Sequence, residues 1–423
     1  MNGKGNSKVA ILLRCGIIAL ICFAGLLTAY WVFLLAPPSP RSYSVGLEDV
    51  DGDGDLDAVV GNGPGNTDYP GEPNAIWLND GAAHFTNSGQ RLDSSPSTDW
   101  DVTYTLALGD LDGDGDADVV FGDAVPSPNT VWLNDGTGRF DLYRRHWMKP
   151  ALDEHNYSQS RAVTLGDLDG DGDLDAYVGN CCRNEWGISS GPGEITERGY
   201  SDAYNVVWLN DGTGAFVDSG QRLGNEATGD VALGDLNGDG DLDAFEVNQR
   251  SGSEVPVCDA SDRVWLNDGT AHFVDSGQRM SRSDGRAVAL GDLDGDGDLD
   301  AFVGNAYFGR PDEVWLNDGR GRFTDTGQRL GDADTRAVAL DDMDNDGDLD
   351  AFAGYDDFGL IWTNDGLGHF ADSGQRFNWS QQYAIAFGDV DRDGDKDVFG
   401  IRFDGDCRIW RNDGTGRFSL SGD

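Results

Sequence analysis

The chain has 423 residues and a formal net charge of −46, with 76 Asp and Glu against 30 Lys and Arg. That balance argues against nucleic acid as a partner, because phosphate contacts need a basic surface, and against flat docking on anionic lipid. So acidic a chain can be disordered, but 38% of its residues are hydrophobic, with 12 Trp and 19 Phe, and its 61 Gly suit a fold of many tight turns.

The first predicted element is apolar. Residues 15–36, CGIIALICFAGLLTAYWVFLLA, carry no charge over a length that crosses a hydrocarbon core of about 30 Å. Lys4, Lys8 and Arg14 lie in the short segment 1–14 before it, and PPSP opens a linker, 37–42, after it. The positive-inside rule then places 1–14 in the cytoplasm and the rest outside, tethered by a transmembrane signal-anchor helix. The alternative is a cleaved signal peptide and a secreted protein. Leu27/Ala29 is a poor cleavage pair and Pro37 disfavours cutting after Ala36, so the uncleaved anchor is the expectation.

After residue 43 the chain repeats. Seven acidic loops of the pattern D-x-[DN]-x-D-G-D-x-D begin at Asp49, Asp110, Asp167, Asp235, Asp292, Asp342 and Asp389. A second marker follows each: Trp, then ND two residues on, Gly and Phe, starting at Trp77, Trp132, Trp208, Trp265, Trp315, Trp362 and Trp410. Each unit reads as four short strands. In the fifth, RAVALGD (286–292) runs into the acidic loop and LDAFVGN (299–305) leaves it. DEVWLND (312–318) is the third strand, NDG marks a tight turn, and RFTDTGQRL (322–330) is the fourth. Outside the apolar segment no stretch has a helical apolar period. Seven four-stranded units predict an all-β, seven-bladed β-propeller over 43–423. The 47 to 68 residues between successive loops are too many for an open solenoid. The repeated Trp and Phe are expected in the core between blades. His84, His272 and His369 share one phase before the repeat Phe and are expected on the surface.

Oxygen donors at this density suit Ca²⁺, which takes six to eight oxygens. No His or Cys falls in a loop, so zinc does not fit. In the fifth loop the side chains of Asp292, Asp294, Asp296 and Asp300 can converge, Asp298 offers its backbone carbonyl, and Gly297 allows the sharp turn. An EF-hand is excluded, because its twelfth-position Glu is replaced by Val303 and strands flank the loop. The corresponding ligand sets are Asp49, Asp51, Asp53, Asp55 and Asp57; Asp110, Asp112, Asp114, Asp116 and Asp118; Asp167, Asp169, Asp171, Asp173 and Asp175; Asp235, Asn237, Asp239, Asp241 and Asp243; Asp342, Asp344, Asp346, Asp348 and Asp350; and Asp389, Asp391, Asp393, Asp395 and Asp397. Up to seven Ca²⁺ are therefore expected, mainly as structural ions. Arg392 and Lys396 lower the negative charge of the seventh loop and are expected to weaken it.

These paired markers resemble the FG-GAP/VCBS repeat family, whose best-known members form the N-terminal propeller of integrin α chains. The resemblance covers about 43–423. It implies that the ninth-position Asp, present in all seven loops, coordinates the ion directly. It also implies a calcium-stabilised extracellular binding or adhesion module; an enzyme would need a unique residue constellation that the sequence does not offer, so none is expected.

Extra length falls between the second and third strands of units 1, 3 and 4, and in the connections from unit 1 to 2 and 2 to 3. In a four-stranded blade both loop classes emerge on one face, opposite the acidic loops. These insertions carry aromatic and basic side chains, the chemistry of recognition on a rigid scaffold. Trp100, Tyr143, Arg144, Arg145, Trp147, Arg183 and Trp186 are the candidate ligand residues. An extracellular protein or a glycan is the expected partner, with a lectin-like carbohydrate module as the alternative reading and a polysaccharide-active enzyme the remaining one. Neither His146 nor His155 has a nameable catalytic partner, and GISSG (187–191) lacks the strand-to-helix context its match to a nucleophile elbow requires. Of the six cysteines, Cys182 and Cys258 fall in corresponding loops of adjacent units, so a bridge between them is one possibility and a vicinal Cys181–Cys182 bond another; the sequence leaves Cys407 unassigned. A closed propeller leaves no long sheet edge, so a monomer is expected.

Overall fold

The computed structural model describes residues 41–63, 73–93, 102–123, 128–148, 159–181, 204–249, 261–280, 284–306, 309–355, 358–378, 382–402 and 407–421. The predicted anchor at 15–36 lies outside them. Among the described residues no helix is long and apolar enough to cross a membrane.

The fifth repeat shows how sequence becomes blade. Its strands Gly285–Gly291, Asp300–Asn305, Glu313–Asn317 and Phe323–Asp325 pair antiparallel in chain order. The second strand, DAFVGN, is buried at every position, which is why it reads as a continuous apolar run and not an alternation: both its faces are covered. The fourth is short and half exposed, as suits an edge. Six further sheets of the same order span 41–87, 103–148, 159–218, 227–275, 335–378 and 382–420. Each first strand lies beside the first strands of the blades before and after it, and that of blade 7 lies beside that of blade 1. The expected seven-bladed propeller is therefore closed.

Burial between blades holds the ring together. Phe245 of blade 4 meets Phe323 of blade 5 edge to face, with centroids 4.9 Å apart, and Phe302 of blade 5 meets Phe370 of blade 6 in the same way. Phe85 of blade 1 and Phe399 of blade 7 pack at 4.8 Å across the seam. Burying each such ring contributes about 1.5–3 kcal/mol, and edge-to-face geometry adds about 0.5–1.5 kcal/mol. Trp132, Trp208, Trp265, Trp362 and Trp410 are buried as expected. His84, His272 and His369 are exposed, each beside an Asp four residues earlier.

Two local features depart from the sequence reading. In blade 2 the segment 141–148, read as the start of an inserted connection, continues the outer strand Phe140–Met148, because Asn129 and Val131 of the third strand pair with Met148 and Arg144. In every blade the first strand carries a β-bulge near its start, at Arg286 in blade 5 and Arg336 in blade 6.

Candidate metal centres

Each acidic loop is anchored by its second residue, an apolar side chain sunk in the core: Val50, Leu111, Leu168, Leu236, Leu293, Met343 and Val390 are at most 2% exposed. The first Asp organises the turn. Asp292 accepts the N–H of Gly295 at 2.8 Å on one oxygen and that of Gly297 at 3.1 Å on the other. Gly295 and Gly297 both sit at positive φ, which lets the chain curl around the carboxylates.

Carboxylate oxygens of the first, third and ninth residues lie within 4.8 Å of one another in the loops beginning at Asp110, Asp167 and Asp292. In those beginning at Asp49 and Asp342 it is the first, third and fifth that gather: Asp49, Asp51 and Asp53, and Asp342, Asp344 and Asp346. Oxygens so spaced can share one hard cation at about 2.3–2.6 Å. A second observation fits: Asp112 Oδ1, Asp344 Oδ1 and Asp391 Oδ1, all third-position atoms, are buried without a hydrogen-bond partner. Burial, and then repulsion from the fifth-position carboxylate, raises the pKa of Asp112, Asp169, Asp294 and Asp344. A bound cation would remove that repulsion. These donors suit a metal ion.

The ninth-position Asp has a second task. Asp300 is fully buried; its Oδ1 accepts the N–H of Asn317 at 2.8 Å and its Oδ2 that of Leu293 at 2.9 Å. It thereby ties the start of the second strand to the end of the third. Burial pushes Asp57, Asp175, Asp243 and Asp300 up to about 6, and Asp118, Asp350 and Asp397 up to about 7, against the lowering effect of those N–H donors. The seventh-position side chain turns to the NDG turn of its own blade. A Cβ on Gly319 would lie 2.5 Å from Asp298 Oδ2, and the same crowding recurs in all seven blades.

The seventh loop differs in an unforeseen way. Arg392 reaches across the seam to Asp55 and to the Asp53 carbonyl, and Lys396 pairs with Asp341 of blade 6 at 3.0 Å, so their ion pairs run to neighbouring blades. Arg411 pairs with the loop's own third-position carboxylate: its guanidinium lies 3.1 Å from Asp391 Oδ2.

Two residues that a reading within single repeats passes over clamp the blades. The Asn of each WxND marker donates to the second-position carbonyl of the preceding blade's acidic loop, as Asn317 does to Leu236 O at 2.8 Å, and all seven do so. The Gln of SGQR receives the next blade's repeat Phe N–H, as Gln278 does from Phe323 at 3.0 Å, and donates back to its NDG turn. Their signal is a fixed phase in the repeats, the Asn in all seven and the Gln in five.

Of the candidate ligand residues, Trp100, Arg183 and Trp186 lie outside the described residues. Arg144, Arg145 and Trp147 fall in the outer strand of blade 2, their side chains outside the description. Tyr143 is half-buried against the core between blades 2 and 3, beside Gly214 of blade 3. Cys182 and Cys258, and so both disulfide readings, lie outside the described residues. Burial raises the Cys181 thiol pKa, countered by Arg161.

The model of the FG-GAP-like repeat matches residues 49–121, 110–178, 196–245, 255–303, 292–353 and 342–400. The chain belongs to the FG-GAP-like repeat family. No curated protein matches the sequence. This FG-GAP-like propeller is similar in fold to the BP39L lectin from Burkholderia pseudomallei, at 13% identity and a TM-score of 0.54, over 90% of this chain and 98% of that one. An Agrocybe aegerita lectin, described for recognition of non-reducing terminal N-acetylglucosamine, aligns at 18% identity and a TM-score of 0.50 over 86% of each chain. BBS1N, crystallised in complex with ARL6DN, aligns at 12% and 0.50 over 87% of this chain and 91% of that one. At these identities the likeness is one of fold.

Proposed function

We propose that this FG-GAP-like repeat protein is a calcium-stabilised binding module, held outside the cell by the segment 15–36, and that it recognises an extracellular glycan or protein through the inserted loops of blades 1–4. The observation that carries the reading is the distribution of irregularity. The acidic loops, Asn clamps and NDG turns repeat around one face almost without change, while the extra sequence is concentrated in the opposite loop classes of the first four blades. A uniform scaffold with unequal loops suits one composite site. The lectins of similar fold favour a glycan among the possible partners. No catalytic role is proposed, since nothing in the repeats supplies a unique acid–base or nucleophilic set.

The test is binding of the purified chain to a glycan array and to extracellular protein libraries, with and without EGTA. A ligand lost on replacing Arg183 and Trp186, but kept when Arg329 on the outer strand of blade 5 is replaced, is the expected result. Binding indifferent to all insertions would refute the assignment of the face, and turnover of a bound glycan would refute the non-enzymatic reading.

A further inference from the structure

The Gln clamp recurs at five of the seven interfaces. Gln90, Gln221, Gln278, Gln328 and Gln375 each accept the next blade's repeat Phe N–H on Oε1, at 2.9 to 3.1 Å, and donate from Nε2 to the carbonyl two residues before that Phe. One carboxamide thus satisfies an N–H and a C=O of the neighbouring turn together, which takes a side chain with both a donor and an acceptor. Two residues further on, Leu92, Leu223 and Leu330 pair with Asn74, Asn205 and Asp312 at the entry to the third strand of their own blades. The segment Gly-Gln-Arg-Leu therefore joins one blade to the next and covers the outer edge of its own third strand.

The seam is built differently. From blade 2 to blade 3 the place beside Gly214 is taken by Tyr143. From blade 7 to blade 1 the corresponding turn groups are Phe85 N–H and Ala83 O, and among the described residues no carboxamide meets either. The sequence FSLSGD (418–423) stands where blade 3 has FVDSGQ (216–221), so the phase of the Gln falls on Asp423, outside the described residues. Its carboxylate has no N–H to offer a carbonyl. At this place lies a groove of about 620 Å³, walled by Ala83 and His84 of the blade 1 turn, Arg408 and Ile409 of the third strand of blade 7, and Ser419 and Ser421 of its outer strand. The outer strand is bonded as far as Ser421, whose N–H donates to Ile409 O at 2.8 Å. The stretch of third strand along which Gly-Gln-Arg-Leu runs elsewhere thus falls in the groove wall, at Arg408. The wall is held in place beforehand: Arg411 Nη2 donates to Ala82 O at 2.8 Å and Arg408 Nη1 to Asn378 O at 3.2 Å, so little ordering is left for a partner to bring about.

We propose that the seam groove docks an extended peptide of a partner protein, with a glutamine followed two residues later by an apolar side chain, the segment that five blades carry for themselves. Its carboxamide accepts from Phe85 N–H and donates to Ala83 O, and its backbone continues the outer edge of blade 7 in the manner of an added strand. A second copy of the chain has no such segment to lend, because all five of its own Gln side chains are engaged within the ring. The volume lies within the range of ligand pockets, about 300–1,000 Å³, which suits a few residues of peptide. No residue of the groove wall belongs to the inserted loops of blades 1–4, so this surface is additional to the one assigned above.

The experiment is fluorescence anisotropy of a labelled Asp-Ser-Gly-Gln-Arg-Leu peptide titrated with the full chain in about 1 mM calcium. Saturable binding is expected, and the same peptide with Glu in place of Gln should bind about tenfold more weakly or worse, since Glu cannot donate to Ala83 O. Ser419→Trp, which narrows the groove, and Asp423→Gln, which supplies the carboxamide from the chain itself, should each weaken the peptide about tenfold or more; Arg329→Gln on the outer strand of blade 5 should leave it unchanged. Circular dichroism of each variant establishes that the fold is kept. No saturable binding, equal affinity for the Glu peptide, or parental affinity in both folded groove variants would overturn the proposal. Sedimentation of the chain alone supplies a further check: a dimer that the peptide dissociates would give the groove to a second copy and overturn the assignment to a partner. Neither groove variant lies in the inserted loops, so failure here leaves the glycan or protein reading of that face standing, and failure there leaves this one.

Discussion

At the scale of single residues, one position shows the protein making the same bond with two different side chains. The residue at the entry to the third strand accepts an N–H from the end of the second. In blades 1 to 3 it is Asn74, Asn129 and Asn205; in blades 4 and 5 it is Asp262 and Asp312. Both aspartates are fully buried. Asp312 Oδ1 accepts from Thr335 at 2.6 Å and Asn305 at 2.9 Å, and Oδ2 accepts from Tyr355 at 3.2 Å, yet burial still pushes its pKa up to about 7. A carboxyl with a folded pKa above its unfolded one holds its proton more tightly in the folded state. Its contribution to stability is therefore fully present at low pH, falls as pH rises from about 4 to about 7, and is a constant cost above that. Asp312→Asn keeps the shape and the acceptor that blades 1 to 3 already use. It should raise stability at pH 8 by about 1–3 kcal/mol and change it little at pH 4, read from denaturant midpoints at the two pH values. Equal change at both would mean that Asp312 is not charged when folded at high pH.

At the scale of the element, the acidic loop is not the same in every blade, and Arg411 is the reason in the seventh. Where blades 1 to 5 have Leu before the marker Asn, blade 7 has Arg, and its guanidinium occupies Asp391 Oδ2. A resident cation competes with an incoming one. Arg411→Leu should raise the calcium affinity of that loop about tenfold, the worth of one charge-assisted bond, seen as the weakest class of sites in a calcium titration moving towards the others. No change in that class would show that Asp391 is not a ligand. The loops, the four-stranded blades and the core Trp and Phe were legible in the sequence because each is a pattern within one repeat. The partners of Arg392 and Lys396 were not legible for a physical reason: both pair with a neighbouring blade, and proximity in sequence does not give proximity in a ring. The bulges were hidden for a different reason: RAV in blades 3, 5 and 6 reads as an ordinary strand start, and only the register of the paired strands reveals the extra residue.

At the scale of the whole molecule, the ring closes without a shared strand. Blades 1 and 7 are each built from consecutive strands, so the seam rests on side chains and one backbone bond: Phe85 on Phe399, Asn79 donating to Val390 O at 2.9 Å, Arg392 to Asp53 O at 3.0 Å, Arg411 to Ala82 O at 2.8 Å, and Ala83 N–H to Val390 O at 3.2 Å. At every interface, the seam included, the Asn clamp lands on the carbonyl of the loop's second residue. A cation that orders the loop therefore also orders the interface, and losing it loosens both together. A ligand at a hundredfold its Kd adds about 2.7 kcal/mol per site, and for a domain of this size each kcal/mol moves the melting temperature by about 2 °C. Two or three occupied loops thus suffice for a shift of about 10 °C. Calorimetry in about 1 mM calcium and in excess EGTA should show one transition that moves down by that amount or more, not a second one splitting off, because every blade is clamped to its neighbours. A melting curve indifferent to EGTA would leave the loops as acid turns held by their own amides, with the packing between blades and the Asn clamps closing the ring without metal.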